Sequence, residues 1–252
     1  MTGKKWAQAL SVEERIERAK GATKRLSYEL DYIIQLHETN RVILYGDIVS
    51  SKIPRSRAGL CYRNLRDATF RYELLRLVAL WDRPEPEGYS IPSVVELVGD
   101  DAVIAKLIDA AGLSRKQLPI DEINTADGQS QSEELREWAA QLEEQTVAQT
   151  EYEALDELLN TIESANDFLA RKNYRASRNL RNHIAHSLFQ TRDELRAVAN
   201  DTSVDLPKYG DEAVFLDTSI SIVEKLYRWV NGLSYNHHET QGLCKKRAED
   251  FW

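Results

Sequence analysis

Residues 133–169 read EELREWAAQLEEQTVAQTEYEALDELLNTIESANDFL, and their periodicity decides the fold class. Leu135, Trp138, Leu142, Tyr152, Leu155, Leu159, Ile162 and Leu169 recur at spacings near seven or its three-plus-four split. That pattern predicts one long helix packed along another, within the chain or across a dimer. No alternating strand pattern of any length and no internal repeat accompanies it. The expected fold is all-α, a bundle of long antiparallel helices.

The flanks read the same way. Ser11-Val12-Glu13-Glu14 has the form of a capping box, with Ser11 as N-cap and Glu14 as its partner. A helical stripe follows through Ile16, Ala19, Leu26, Leu30, Ile33, Ile34, His37, Leu44 and Ile48, predicting a first helix to about Ser51, stopped by Pro54. A second is predicted over 57–81, with Leu65, Tyr72, Leu75 and Val78 through Leu80 inward, broken by Pro84, Pro86 and Gly88. Ile91-Pro92-Ser93 opens a short helix ending near Gly99. Asp100-Asp101 caps another ending at Gly112. From Ser114 to Gln131 the chain reads as a long loop with at most one helical turn. Neither flank of it looks self-sufficient, so residues 1–252 are expected to form one domain with a loop-rich excursion at about 84–131.

Beyond the long run, Asn173 is the expected interruption. The next predicted helix carries Arg178-Asn179-Leu180-Arg181-Asn182-His183-Ile184-Ala185-His186 and ends before Asn200-Asp201. A connection at 206–211 leads to a last helix over about 212–230 that buries Leu216, Ile220, Val223, Tyr227 and Val230. After Gly232 the sequence turns polar and charged.

Charge singles out the nine-residue stretch. The chain has net charge -8, against broad coating of nucleic acid, which requires many neutralised phosphates. Yet residues 168–192 hold Arg171, Lys172, Arg175, Arg178, Arg181 and Arg192 and no acid, whereas 130–167 hold eleven acids against Arg136. Two of the five histidines, His183 and His186, fall in this basic stretch. A local reversal of sign in an acidic chain points to an anion. Hydrophobic residues are 42% and mean hydropathy is -0.51, so a soluble globular protein is expected. No run approaches a membrane span, and no apolar segment follows Lys4-Lys5 as a secretory signal would require. Cys61 and Cys244 make neither a metal pattern nor a disulfide framework. The cytoplasm is the expected compartment, and no cofactor or metal is expected.

The chemistry of the stretch suits metal-independent RNA cleavage. A neutral histidine can take the proton of a 2′-hydroxyl and, once protonated, give one to the leaving 5′-oxygen, because its pKa lies near neutrality. Arginine, always charged and forked, suits the negative charge developing on the phosphate. An Arg and a His five positions apart stand roughly 140° apart on a regular helix, while Asn182 and His186 share a face. Arg181 therefore meets His186 only where the helix is irregular or where a second chain completes the site.

Arg181-Asn182-His183-Ile184-Ala185-His186 resembles the R-x4-6-H signature of the HEPN superfamily. The run Leu74-Leu75-Arg76-Leu77-Val78-Ala79-Leu80-Trp81-Asp82, followed by Ser90-Ile91-Pro92-Ser93, resembles its AbiU2-like branch, and the similarity covers roughly residues 26–230. The resemblance implies a helical bundle that homodimerises and brings two motif copies into one cleft. It also implies an RNA substrate, an endoribonuclease of a toxin–antitoxin or phage-defence system, products ending in 2′,3′-cyclic phosphate, and an antitoxin or defence-system partner. Other members bind RNA or nucleotides without cutting, so the alternative is a catalytically silent helical module binding RNA, a nucleotide or a protein partner in a defence system.

On that resemblance the catalytic candidates are Arg181 and His186, with Asn182 orienting. Arg178, Arg175, Lys172 and His183 are candidates for substrate binding. Arg178 and His183 satisfy the same spacing in a second register, although Ala185-His186 matches the family pattern better. Leu188 stands where the branch silenced by adenylylation carries tyrosine, so that silencing is not expected. Blander readings stand beside these. Arg171, Lys172 and Arg175 fit a solvated face pairing with the acidic helix before them. His183 and His186 lack an obvious third ligand for a metal. His237-His238-Glu239 reads as part of a polar tail without a specific role, and the tryptophans read as core or interface.

Overall fold

A computed structural model describes residues 6–53, 57–116, 133–185 and 192–251. They are helical almost throughout, and no strand occurs among them. A short 3-10 turn, Trp6–Ala9, precedes α1 (Val12–Tyr45) and α2 (Asp47–Lys52). Then come α3 (Arg57–Ala79), α4 (Ile91–Val98), α5 (Asp101–Lys116) and α6 (Glu133–Ala170). The series closes with α7 (Lys172–Ala185), α8 (Arg192–Ala199), α9 (Asp211–Asn231) and α10 (His237–Phe251).

The first helix starts as its sequence dictates. Ser11 Oγ accepts from the Glu14 amide at 3.2 Å, and Glu14 Oε2 accepts from the Ser11 amide at 2.8 Å, so two otherwise orphaned donors are satisfied reciprocally. The helix ends at Gly46, before the expected Ser51. Gly46 leaves helical geometry at φ -81°, ψ 145°. A Cβ there would stand 2.6 Å from the Val42 carbonyl oxygen, so only glycine fits this exit. Pro54 lies outside the described residues.

Helix α1 is the central post of the main core. Leu26, Leu30, Ile33 and Ile34 are buried along it, and it packs chiefly against α10, α9, α3 and α4. The short α4 is apolar around most of its circumference because it is buried on nearly all sides. Its end is tied to α1 by buried Arg15, which donates to the carbonyls of Leu97 (2.9 Å) and Glu96 (3.1 Å) and pairs with Asp100 at 3.1 Å. A cation thus sits where the last carbonyls and the helix dipole are negative.

At the other end of this core Trp81 is fully buried among Phe168, Tyr174 and Phe215, with ring centroids 4.4 to 6.4 Å away. Its indole donates to Ser219 Oγ at 2.9 Å, and its carbonyl accepts from the Tyr174 hydroxyl at 3.1 Å. A smaller cluster of Leu44, Phe70, Leu74 and Leu180, with Ile184 against it, stands apart from this core beneath α7.

Several expected faces are shifted. On α3, Leu65 and Tyr72 are exposed, and the inward residues are Phe70, Glu73, Leu74, Leu77 and Val78. Glu73 turns inward because Nδ1 of His37 lies 2.6 Å from its Oε1, and Asn40 donates to its Oε2 at 2.7 Å. Burial alone would push the His37 pKa down. The hydrogen bond to Glu73, with the charges of Glu73, Glu38 and Glu212, outweighs burial and holds it above the ordinary value. On α6, Tyr152 and Leu159 are exposed, while Leu158, Thr161, Ala165 and Phe168 face inward with Leu155, Ile162 and Leu169 at the margins. Leu135, Trp138 and Leu142 lie where side chains are not described.

Three boundaries differ as well. Helix α5 continues through Gly112 to Lys116, the break between α6 and α7 falls at Arg171 instead of Asn173, and the polar tail is α10. Its His237 is fully buried, donates its backbone amide to the Glu224 carboxylate at 2.7 Å, and packs 4.6 Å from the Tyr235 ring. Tyr235 in turn donates to Asp31, a bond that pushes its hydroxyl up to about 12. The segment 117–132 lies outside the described residues.

Candidate RNA-binding and cleavage site

Helix α7 lies across α3 and is seated by Tyr174, Ala176, Ser177 and Leu180, all buried. Inward residues at these spacings leave the opposite face to solvent. That face is basic. Lys172, Arg175 and Arg178 are exposed on it, and Asn182 is half-buried. Lys172 pairs with Asp205 at 3.3 Å, and the Asn179 amide donates to the Asp205 carbonyl at 3.4 Å, so the connection before α9 is tied to α7. Neither Lys172 nor Arg175 forms an ion pair with the acidic α6 among the described residues. The expected mutual neutralisation is absent there.

Arg181 sits on the α3 side of the helix and forms an ion pair with Asp82, just beyond the end of α3; both side chains are partly exposed. Asp82 was not singled out as a site residue by sequence. The two positions are 99 residues apart, and the only signal was that Asp82 closes the family-like run from Leu74. Tyr174 is the second addition. Burial pushes its hydroxyl up, with Arg178, Asp82 and Arg181 all close enough to act on it. One small region thus joins two arginines, an aspartate and a buried tyrosine.

His183 points to the other side of α7. With Asn179 it lines a cleft of about 290 Å³ closed by Ala197, Val198 and the 202–206 segment. Helix α7 is regular through Ala185, so Arg178 and His183 stand about 140° apart and one chain does not bring that register together. His186 lies outside the described residues, as does Leu188. Among the described residues no group of three His, Cys, Asp or Glu side chains is placed to hold a metal ion, and no helix is long and apolar enough to cross a membrane.

An all-helical chain with an R-x4-H stretch on a basic helix laid across a helical core defines the HEPN class. The family described as AbiU2, a HEPN family, matches residues 17–251, and the chain belongs to it. The chain is therefore a HEPN-type abortive-infection domain. Comparison with curated proteins and with solved structures gives no match.

Proposed function

We propose that the protein is a metal-independent endoribonuclease of a toxin–antitoxin or phage-defence system, working in the cytoplasm as a single HEPN domain that homodimerises. The observation that carries this reading is the face of α7. Exposed Arg175 and Arg178, with Arg181 at its edge, make a cationic track immediately before the family motif histidine. In the proposed reaction His186 takes the proton from a ribose 2′-hydroxyl, whose oxygen attacks the adjacent phosphorus. The bond to the 5′-oxygen breaks, a second histidine supplies the proton that leaves with it, and the products are a 2′,3′-cyclic phosphate and a 5′-hydroxyl. The second histidine is that of the partner copy, because one chain offers no second acid/base at matched spacing. Arg181 stabilises the phosphate charge, Asn182 orients the imidazole, and Arg178, Arg175, Lys172 and His183 hold the strand.

A silent RNA-, nucleotide- or protein-binding module is the second reading, and the Arg181–Asp82 pair favours it, since that pair occupies the guanidinium the reaction needs. Expression of wild type beside His186→Ala in a bacterium decides between them. Growth arrest with fragmented RNA in wild type only supports the nuclease. Intact RNA in both sinks it.

A further inference from the structure

The apolar spacing of α3 is regular, but the chain leaves it uncovered. Cys61, Leu65, Ala68, Tyr72, Leu75 and Ala79 recur four and three apart along the helix, as the a and d positions of a heptad seam do. Leu65 and Tyr72 are 46% and 42% exposed, Cys61, Ala68 and Ala79 are exposed, and Leu75 is half-buried. The side turned into the protein is a different one, Phe70, Glu73, Leu74, Leu77 and Val78. A helix that is apolar on two sides needs two partners, and among the described residues only the inward side has them. Tyr32 of α1 flanks the outer seam, its hydroxyl 3.3 Å from that of Tyr72 and its ring centroid 5.3 Å from the Arg76 guanidinium. With exposed Tyr28 it widens the apolar surface onto a second helix.

The order of side-chain sizes selects the partner. Ala58 extends the seam by one step toward the start of α3. Read forward against backward, the stripe pairs Ala58 with Leu75, Cys61 with Tyr72 and Leu65 with Ala68. Each large side chain meets a small one, as interdigitation at native density requires. A face that complements its own reverse fits a two-fold contact between identical copies. The same register sets exposed Arg71 nearest the partner's Asn64. Sliding to the next layer would set Arg71 against its own copy, where like charges repel. The area suffices too. Helix α3 has 23 residues, so it is about 34 Å long and about 10 Å wide. With the adjoining turns of α1 the footprint is about 700 Å² per copy, about 1,400 Å² in all, within the range of about 1,200–2,000 Å² for stable interfaces.

We propose that α3 pairs with α3 of a second copy as an antiparallel two-helix seam. Helix α7 is seated on the inward side of α3, so this contact leaves the basic motif face uncovered. It is a self-contact additional to the motif pairing of the proposed nuclease. A chain that makes both contacts builds an even-numbered assembly larger than a dimer.

Cross-linking of the intact protein tests the register. Cys61 is exposed and Cys244 buried, so the native chain supplies one surface thiol as a reporter. Tyr72→Cys sets a second thiol opposite the partner's Cys61, whereas Ala79→Cys sets it about 10 Å further along the axis. On oxidation Tyr72→Cys should run as a covalent dimer on a non-reducing gel, with wild type and Ala79→Cys remaining single chains. Ala68→Glu, which puts a carboxylate against the partner's Leu65, should halve the wild-type mass in light scattering at about 100 μM and keep the helical circular dichroism. Arg178→Ala, on the motif face, should leave the Tyr72→Cys cross-link intact, which separates failure of this contact from failure of the nuclease reading. The proposal is overturned if Tyr72→Cys stays a single chain, if Ala79→Cys cross-links in its place, or if Ala68→Glu keeps the wild-type mass. Weaker oligoribonucleotide binding by Ala68→Glu at unchanged mass overturns it equally, because the face would then contact RNA.

Discussion

Asp82→Asn separates a structural ion pair from a restraint on a working arginine. The Arg181 and Asp82 side chains are 38% and 44% exposed. A pair that wet contributes about 0 to 1 kcal/mol, because solvent screens it and both side chains lose freedom to make it. For a domain of this size 1 kcal/mol moves the melting midpoint by about 2–4 °C. Asp82→Asn should therefore melt no more than about 4 °C below wild type. Its effect on RNA should be larger. Removing the carboxylate frees one guanidinium for a phosphate, and each added contact steepens the logarithmic salt dependence on a single strand by about 0.7. From 50 to 200 mM salt the variant should lose about 2.6-fold more affinity than wild type while binding more tightly at the low-salt end. Fluorescence anisotropy with a labelled oligoribonucleotide across that range, beside a thermal melt, gives both numbers. A fall of 8 °C or more, or an unchanged salt slope, refutes the reasoning, since Asp82 would then hold up the fold or Arg181 would not face the strand.

Arg181→Ala and His186→Ala should each lower cleavage by about two orders of magnitude while leaving folding nearly intact, measured on a fixed RNA by gel; His183→Ala as the inactive variant would instead select the Arg178 register. Cleavage should persist in EDTA, and its complete loss with rescue by added Mg2+ would remove the metal-free mechanism. The raised His37 pKa gives a signed pH effect. Its stabilisation is fully present below the unfolded value near about 6.5 and fades as pH climbs through the higher folded value, so His37→Gln should cost more stability at pH 6 than at pH 8.5 in urea titrations, and an equal cost at both would refute the assignment. Trp81→Ala should cost about 3–5 kcal/mol by emptying the aromatic cluster, read as a drop in urea midpoint.

The existence and type of the long helices were legible because periodicity is local. Helices α4, α6 and α9 lie close to the spans their sequence predicts, and α1 announces its start with a capping box. Their faces were less legible. Glu73 is buried by partners 33 and 36 positions earlier, Asn40 and His37, and hydrophobicity cannot anticipate a satisfied charge. Helix α10 was missed for a related reason. It buries His237, Cys244 and Ala248, a face too small and polar to make a stripe. At the site the basic run of α7 was plain in the sequence, whereas the Asp82 partner depends on tertiary contact alone.

The small cluster beneath α7 has a dynamic consequence. Leu180 and Ile184 rest on Leu44, Phe70 and Leu74, a patch separate from the main core, while the first turn of the helix is fastened through Tyr174 to Trp81. Few apolar contacts hold the later turns, so that end of α7 belongs to a cooperative unit able to open while α1, α4 and α9 stay closed. Amide exchange should show it as two protection levels along one helix, high near Tyr174 and low beyond Leu180. Arg181 and Asn182, carried on the looser end, can reorient without drawing on the stability of the whole molecule.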